Sequence, residues 1–145
     1  MRGRVAVALA CLGAIGPLAA CGPTPANPAD YRGASEHYAF RVSFDPMPPS
    51  ARERVRYRIL VHDVKTDAPI SNGEGQLYAT SKDRLSTYDG LEAGKEVGTY
   101  YANMKFMTAG DWAIAIRFRR DSTQPLEKID WTQEVRGERA TPVPQ

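Results

Sequence analysis

Apolar and polar side chains alternate along most of the chain between residues 38 and 135, and this period of two constrains the fold more than any other feature. Successive side chains of a β-strand point to opposite faces of a sheet, so each alternating run predicts a strand with one face in a core. The runs with the clearest alternation cover residues 38–44, 55–61, 100–106, 112–118 and 129–135. Weaker alternation predicts two more strands, at residues 75–80 and 85–88.

Turn-forming residues separate these runs and indicate the fold class. Prolines within residues 46–49 follow the first run, and proline cannot donate a hydrogen bond to a sheet. Asp89-Gly90 is typical of a turn, and the short link at residues 109–111 predicts a hairpin between the runs on either side. About seven short strands at this spacing predict an all-β fold, namely a single antiparallel β-sandwich of the immunoglobulin-like type.

The predicted inward faces carry enough large apolar side chains for one core. Burial of each such side chain contributes about 1.5–3 kcal/mol, so a domain of this size can fold without a disulfide or a structural metal. The predicted core residues are Phe40, Phe44, Ile59, Phe106, Trp112, Ile114, Ile116, Phe118 and Trp131.

The first twenty residues have the layout of a secretory signal peptide. Arg2 and Arg4 give a positive start, and the apolar run at residues 5–15 is shorter than the roughly 20 residues that span a bilayer. Residues 18–21, Leu-Ala-Ala-Cys, resemble the lipobox of bacterial lipoproteins, in which the cysteine receives a diacylglyceryl group before cleavage. The resemblance implies that Cys21 is lipidated. The alternative is an ordinary secretory signal with a chance cysteine.

Cysteine usage and charge exclude several functional classes. Cys11 lies inside the predicted signal peptide, so a chain cleaved before Cys21 has no disulfide, cysteine nucleophile or zinc site with cysteine ligands. The precursor has 19 Lys and Arg against 17 Asp and Glu, and cleavage removes two of the arginines. A nearly neutral mature chain gives no electrostatic support for nucleic-acid binding.

The predicted organisation has four parts: a signal peptide at residues 1–20, a lipidated cysteine with a proline-rich tether at residues 21–35, the sandwich at residues 36–135, and a disordered tail at residues 136–145. This predicts a protein of the cell envelope, anchored to a membrane by lipid and facing the periplasm or the exterior. Gly22 follows the cysteine where an Asp would suggest inner-membrane retention, which favours the outer membrane in a Gram-negative organism.

Two stretches resemble a known family. Residues 61–70, Val-His-Asp-Val-Lys-Thr-Asp-Ala-Pro-Ile, and residues 98–116, which include Gly-Thr-Tyr-Tyr-Ala and Gly-Asp-Trp-Ala-Ile-Ala-Ile, are similar to YtkA-like and FixH-like domains. The similarity covers most of residues 37–120 and implies an exported or membrane-anchored immunoglobulin-like domain, sometimes encoded beside copper or cytochrome-oxidase genes. The chain departs from the pattern at Asp67, where glycine is usual, and it lacks the Met- and His-rich clusters of copper-handling relatives.

The candidate metal ligands are few. Imidazole and thioether groups suit copper, so a copper site would join His37 or His62 with Met47, Met104 or Met107. Met104 falls on the predicted core face, where methionine usually fills gaps, and Met104 and Met107 point to opposite faces of a strand. The alternative to a metal site is ordinary packing with a surface histidine.

A row of arginines marks a candidate binding face. Arg54, Arg56 and Arg58 occupy alternate positions of one run, so they lie along one face of a strand. This row could bind lipid headgroups, lipopolysaccharide or an acidic partner. The alternative is a solvated outer face on which carboxylates of neighbouring strands pair with the arginines.

Aromatic residues offer a third possibility, and no catalytic set stands out. Four tyrosines could form a sugar-stacking platform, although core and edge positions explain them as well: Tyr78, Tyr88, Tyr100 and Tyr101. His62 and Asp63 are adjacent on a strand and would point to opposite faces, which does not suit a nucleophile triad. The sequence predicts no enzyme, and no cofactor apart from the covalent lipid and, in the alternative, copper.

These observations favour a non-enzymatic, membrane-tethered binding or accessory module of the bacterial cell envelope. Its expected partners are the membrane, through the lipid anchor, and an envelope protein. One alternative is a periplasmic metal-handling protein, chiefly for copper. A second alternative is a carbohydrate-binding or adhesin-like domain.

Overall fold

The alternating runs form the strands of the domain, with their apolar side chains on the inward faces. The computed structural model describes residues 30–140, and within that range it contains strands and no helix. The strands are β1 (Tyr31–Ala34), β2 (Tyr38–Asp45), β3 (Arg54–Asp63), β4 (Glu74–Ser81), β5 (Ser86–Gly90), β6 (Glu92–Ala93), β7 (Thr99–Lys105), β8 (Gly110–Arg119) and β9 (Glu127–Val135). In this described range, no helix is present that is long and apolar enough to cross a membrane.

The strands form two antiparallel sheets that pack face to face. One sheet has the strand order β1-β2-β3-β7-β6, and the other has the order β5-β4-β8-β9. The predicted all-β sandwich is confirmed, and all seven strands expected from the alternation are present. The two strands that the alternation did not predict, β1 and β6, have four and two residues. Strands this short have too few residues for an alternation of apolar and polar side chains to be recognised.

The core lies between the sheets and contains most of the residues predicted for it. Phe44 and Trp131 are only partly buried, because they lie where the two sheets meet at one side of the sandwich, whereas the other seven predicted residues are buried. At the opposite end, the rings of Tyr38, Phe40 and Tyr100 each contact Phe118 edge to face, at 5.1 to 5.9 Å between centroids.

The link between β7 and β8 is a crossover between sheets, so the predicted hairpin at residues 109–111 is wrong. Strand β7 pairs with β3 and β6, whereas β8 pairs with β4 and β9. Phe106 and Trp112 face inward from opposite sheets, with ring centroids 5.1 Å apart. The Trp112 indole N–H donates to the Thr108 carbonyl at 3.0 Å and closes the turn. Burial of both rings favours the crossover over a hairpin.

The folded domain extends beyond its predicted limits at both ends. Residues 31–34 were expected in the tether but form β1, which pairs with β2 from Tyr31 opposite Val42 to Ala34 opposite Ala39. After β9, the Arg136 N–H donates to the Pro49 carbonyl at 2.9 Å. The signal peptide, Cys21, the rest of the tether and residues 141–145 lie outside the described residues.

Candidate functional site

The arginine row lies on the solvent face of the central strand of the five-stranded sheet. Val55, Tyr57, Ile59 and Val61 of β3 are fully buried, so the alternate residues Arg54, Arg56 and Arg58 point away from the core. A strand rises about 3.3 Å per residue, so these arginines leave the backbone about 7 Å apart. The row lies where the sequence predicts it.

Neighbouring strands widen the row into a broader surface. Lys105 of β7 lies opposite Arg54, and Arg41 of β2 lies opposite both Leu60 of β3 and Arg32 of β1. We call the surface formed by Arg32, Arg41, Arg54, Arg56, Arg58 and Lys105 the basic face. The sequence does not reveal this grouping, because alternation shows which side chains point outward but not which strands are neighbours.

Some cations of the basic face are paired, and others are not. The Arg58 guanidinium donates to Glu96 at 2.8 Å, and the Arg41 guanidinium donates to Asp30 at 2.6 Å. Partial burial would lower the pKa of Arg58, but its hydrogen bonds to Glu96 and Tyr101, together with the charge of Glu96, outweigh burial and raise that pKa. Among residues 30–140, no carboxylate forms a salt bridge with Arg54 or Arg56.

Aromatic packing orders one of the unpaired arginines. The Arg56 guanidinium carbon lies 4.3 Å from the centre of the Tyr101 ring, a cation–π contact. A guanidinium held over a ring keeps its planar fork of donors available for a carboxylate or phosphate. The basic face therefore offers an anionic ligand two cations without a salt bridge to residues 30–140, Arg54 and Arg56, of which Arg56 is ordered by Tyr101.

A shallow groove continues from the basic face to His62. The groove has a volume of about 700 Å³, and its lining includes Arg32, Arg41, Leu60, His62 and Asp67. His62 lies 3.3 Å from Asp67 through its Nδ1 atom. Asp67 adopts a φ of 56°, in the left-handed region that glycine adopts most readily.

The other histidine faces a different direction. His37 precedes β2, and its backbone N–H donates to Glu127 Oε2 at 3.0 Å, while its Nδ1 lies 2.6 Å from Glu127 Oε1. Burial alone would raise the pKa of Glu127, but hydrogen bonds from Ser35 and from His37 outweigh it and lower that pKa. The His37 ring is thus engaged with Glu127 of the four-stranded sheet, whereas the His62 ring lies beside Asp67.

The structure does not bring the candidate metal ligands together. Both histidines lie near the end of β3 at Asp63, whereas Met47 and Met107 lie beyond the opposite end, next to strands β2 and β7. Strand β3 has ten residues, so about 30 Å separates the two ends. Met47 and Met107 are about half exposed, and Met104 is buried in the core. No group of three His, Cys, Asp or Glu side chains that could hold a metal occurs between residues 30 and 140.

The tyrosines do not form one platform. Tyr100 is buried, and its hydroxyl donates to the Ile70 carbonyl at 2.7 Å. Tyr101 lies under Arg56 on the five-stranded sheet. Tyr78 and Tyr88 lie opposite each other on the other sheet, and Tyr88 is 71% exposed. A sugar-stacking surface made of all four tyrosines is therefore ruled out.

Comparison with known proteins shows the fold and no sequence family. No family model matches the chain, and no curated protein matches its sequence. One similar solved structure is a DUF4426 family protein from Pseudomonas aeruginosa PAO1, with a TM-score of 0.59, 7% identity, and coverage of 79% of this chain and 100% of that chain. Another is a copper-bound variant of FetP from uropathogenic Escherichia coli, with a TM-score of 0.50, 12% identity, and coverage of 81% and 97%.

Proposed function

We propose that this protein is a non-enzymatic binding module of the bacterial cell envelope. A lipid on Cys21 holds it at the membrane, and the basic face binds an acidic protein partner. Gly22 beside the lipidated cysteine favours the outer membrane where the organism has one. The expected role is accessory: the domain brings or keeps its partner at the membrane surface.

One observation carries this proposal. Arg54 and Arg56 project from the central strand of the five-stranded sheet and form no salt bridge with residues 30–140, although the chain has nearly as many acids as bases. Tyr101 holds one of them in place. The Arg117 guanidinium lies over Tyr78 on the other sheet in the same way, so one stacked arginine is not enough. The proposal therefore depends on the grouping of Arg54 and Arg56 with the other cations of the basic face, which favours an anionic partner.

Site-specific crosslinking in the native envelope tests the basic face. A photoreactive amino acid at Ser43, which lies opposite Arg58 on that face, should give a defined crosslinked product. The combined substitutions Arg54→Glu, Arg56→Glu and Arg58→Glu should abolish the product. Arg117→Glu on the other sheet is the matched control and should leave it intact. Products that survive the triple substitution would contradict the proposal.

The anchor has a separate test. Cys21→Ala should move the protein from the membrane fraction to the soluble periplasmic or extracellular fraction, and metabolic labelling with a fatty acid should fail for this variant. Unchanged membrane association without Cys21 would disprove the lipid anchor and would leave the basic face unaffected.

Copper handling is the second candidate. It is supported by the shared fold with copper-bound FetP and by the exposed thioethers of Met47 and Met107. A site would have to use donors from one end of the sandwich, for instance Met47 with Met107. Titration of the purified chain with Cu(I) and Cu(II) tests this candidate, with Met107→Leu and His62→Ala as variants. Affinity no tighter than micromolar, or affinity that neither variant changes, would remove it.

A further inference from the structure

Strand β9 is an edge strand, and the direction of its backbone groups can be read from two contacts. The Asp130 carbonyl accepts a hydrogen bond from the Tyr31 hydroxyl at 3.1 Å, and the Arg136 N–H donates to the Pro49 carbonyl at 2.9 Å. Both partners lie outside the four-stranded sheet, on the side away from β8. Every second residue of a strand directs its backbone to the same side, so Thr132 and Glu134 also face outward.

Among residues 30–140, the edge of β9 is covered at two points and left uncovered between them. Tyr31 covers it at Asp130, and residues 49–51 cover it at Arg136, where the Ala51 N–H donates to the Arg136 carbonyl at 2.8 Å. Between these points, none of the hydrogen bonds among residues 30–140 uses the backbone N–H or C=O of Thr132 or Glu134. The six residue steps from Asp130 to Arg136 correspond to about 20 Å of strand, enough for a short added strand.

An apolar groove runs beside this uncovered edge. Its volume is about 330 Å³, and its walls include Tyr31, Phe44, Met47, Pro48 and Trp131. Tyr31 and Trp131 stack with ring centroids 4.4 Å apart, which makes one wall rigid. Met47 is 48% exposed, and its flexible thioether can adapt to different apolar side chains.

A buried acceptor without a donor lies among the lining residues of the groove. Gln133 is only 7% exposed, and its Nε2 donates to the Tyr57 hydroxyl at 2.8 Å. Its Oε1 has no partner among the described residues. Buried amide oxygens are nearly always hydrogen-bonded, so an unpartnered one beside a groove indicates a place for a donor from a ligand.

We infer that this gap, defined by the β9 edge at Thr132 and Glu134 and the groove beside it, is a docking slot for an extended peptide segment of a partner protein. The peptide adds to β9 as a short strand, in the manner of β-augmentation. It places an apolar side chain against Trp131. The Gln133 Oε1 atom is closed to solvent in the peptide-free domain, and a small rotation of the Gln133 side chain on binding lets it accept from an amide or hydroxyl of the peptide. A lysine or arginine of the peptide is favoured opposite the exposed carboxylate of Glu134.

A second copy of the chain fits the slot less well than a peptide. Antiparallel pairing of two β9 edges about Thr132 would place Asp130 of each copy opposite Glu134 of the other, and like charges directly opposite each other are destabilising. Tyr31 and residues 49–51 also bound the gap at both ends, which leaves room for a single extended segment and not for a whole sheet edge. The slot lies on the edge of the four-stranded sheet, so this inference is independent of the basic face.

Peptide selection with edge variants tests the slot. Phage-displayed random heptapeptides are panned against the chain from Gly22 to Gln145, and the enriched peptides are titrated by NMR. Thr132→Pro removes the outward N–H, and proline is tolerated on an edge strand at such a position. Thr132→Ala keeps the N–H and is the matched control. Thr132→Pro should weaken binding by about tenfold or more and Thr132→Ala by less than about threefold, because main-chain hydrogen bonds provide much of the affinity.

If Thr132→Pro impairs folding, the Gln133→Met variant and the NMR chemical-shift changes of the native chain test the slot instead. Gln133→Met is close in size, removes Oε1, and should weaken binding by about threefold or more, since it removes the acceptor. Chemical-shift changes should centre on Thr132, Glu134 and the Trp131 indole N–H. Replacement of the basic-face arginines by Glu should leave peptide binding unchanged.

Three results would overturn the inference. The first is no enrichment of peptides over an albumin control. The second is binding that perturbs residues elsewhere, for example around Arg56, and tolerates both Thr132→Pro and Gln133→Met. The third is a concentration-dependent dimer in sedimentation velocity that Thr132→Pro dissociates, which would assign the slot to a second copy of the chain.

Discussion

Tyr31 stacks on Trp131 with a centroid distance of 4.4 Å and an angle of 19° between the ring planes, and this contact joins the edge strands of the two sheets. Tyr31 belongs to β1 of the five-stranded sheet, and Trp131 belongs to β9 of the four-stranded sheet. The Tyr31 hydroxyl adds a hydrogen bond to the Asp130 carbonyl at 3.1 Å. Strand β1, which lies within the predicted tether, therefore joins the two sheets along one side of the sandwich.

Removal of this fastening should destabilise the domain in two steps. A stacked aromatic pair contributes about 0.5–1.5 kcal/mol beyond its buried area, and a hydrogen bond adds about 0.5–1.5 kcal/mol. Tyr31→Phe should lower the free energy of unfolding by about 1 kcal/mol, and Tyr31→Ala by about 2–3 kcal/mol. Urea denaturation followed by circular dichroism measures both values. Equal stability of Tyr31→Ala and the native chain would show that the contact has no structural role.

The Tyr100 hydroxyl holds the loop before β4. It donates to the Ile70 carbonyl at 2.7 Å and accepts from the Gly73 N–H at 2.9 Å, at a ring that is buried. Tyr100→Phe would leave both backbone groups without this partner, so we expect a loss of about 1–3 kcal/mol in the free energy of unfolding. Tyr101→Phe, one residue further on and on the outer face, is the control and should change stability by less than about 0.5 kcal/mol. Thermal unfolding of the two variants measures both losses. A similarly small loss for both would show that the Tyr100 hydroxyl does not hold the loop.

The alternation was sufficient to predict the outward direction of the basic residues but not their neighbours. Arg54, Arg56 and Arg58 alternate with buried residues of β3, so their common face follows from the sequence alone. The pairing of β3 with β2 and β7 depends on long-range packing, and only that pairing brings Arg41 and Lys105 beside the row. For the same reason the crossover from β7 to β8 could not be distinguished from a hairpin.

Gln133 is a second feature that the alternation of apolar and polar residues does not predict. It occupies an inward position of β9 between Trp131 and Val135, where a polar residue breaks the expected pattern. Its partner is the Tyr57 hydroxyl on the facing sheet, 76 residues away in sequence. The local sequence around Gln133 predicts neither its hydrogen-bond partner nor the adjoining groove, because both arise only when the two sheets pack together.

The Tyr57–Gln133 pair should show strong coupling in a double-mutant cycle. Burial of the Tyr57 ring raises the pKa of its hydroxyl, and this effect is larger than the opposing effect of the Gln133 hydrogen bond. The phenol therefore stays protonated. Tyr57→Phe should cost about 1–3 kcal/mol, because it leaves the buried Gln133 amide without its acceptor. Tyr57→Phe combined with Gln133→Leu should recover most of this loss, since removal of both partners is nearly neutral. Urea unfolding of the single and double variants measures the coupling, and strictly additive losses would contradict it.

Glu127 should make the stability of the domain depend on pH in the acid range. Partial burial alone would raise the pKa of this carboxyl, but hydrogen bonds from Ser35 and from the backbone and ring of His37 lower it below its usual range. The unfolded chain therefore takes up a proton at a higher pH than the folded chain does. The stability that Glu127 contributes is present above the unfolded pKa of about 4.3 and is lost as the pH falls through the lower folded pKa.

Glu127→Gln should therefore destabilise the domain at pH 7, by about 1 kcal/mol, and the difference from the native chain should shrink as the pH approaches about 3. Urea midpoints measured across this pH range test the expectation. Glu134→Gln, at an exposed carboxylate of the same strand, is the matched control and should change stability by less than about 0.5 kcal/mol at both ends of the range. A constant difference between Glu127→Gln and the native chain at every pH would mean that the carboxylate charge is not responsible, and that His37 and Glu127 stabilise the domain through packing alone.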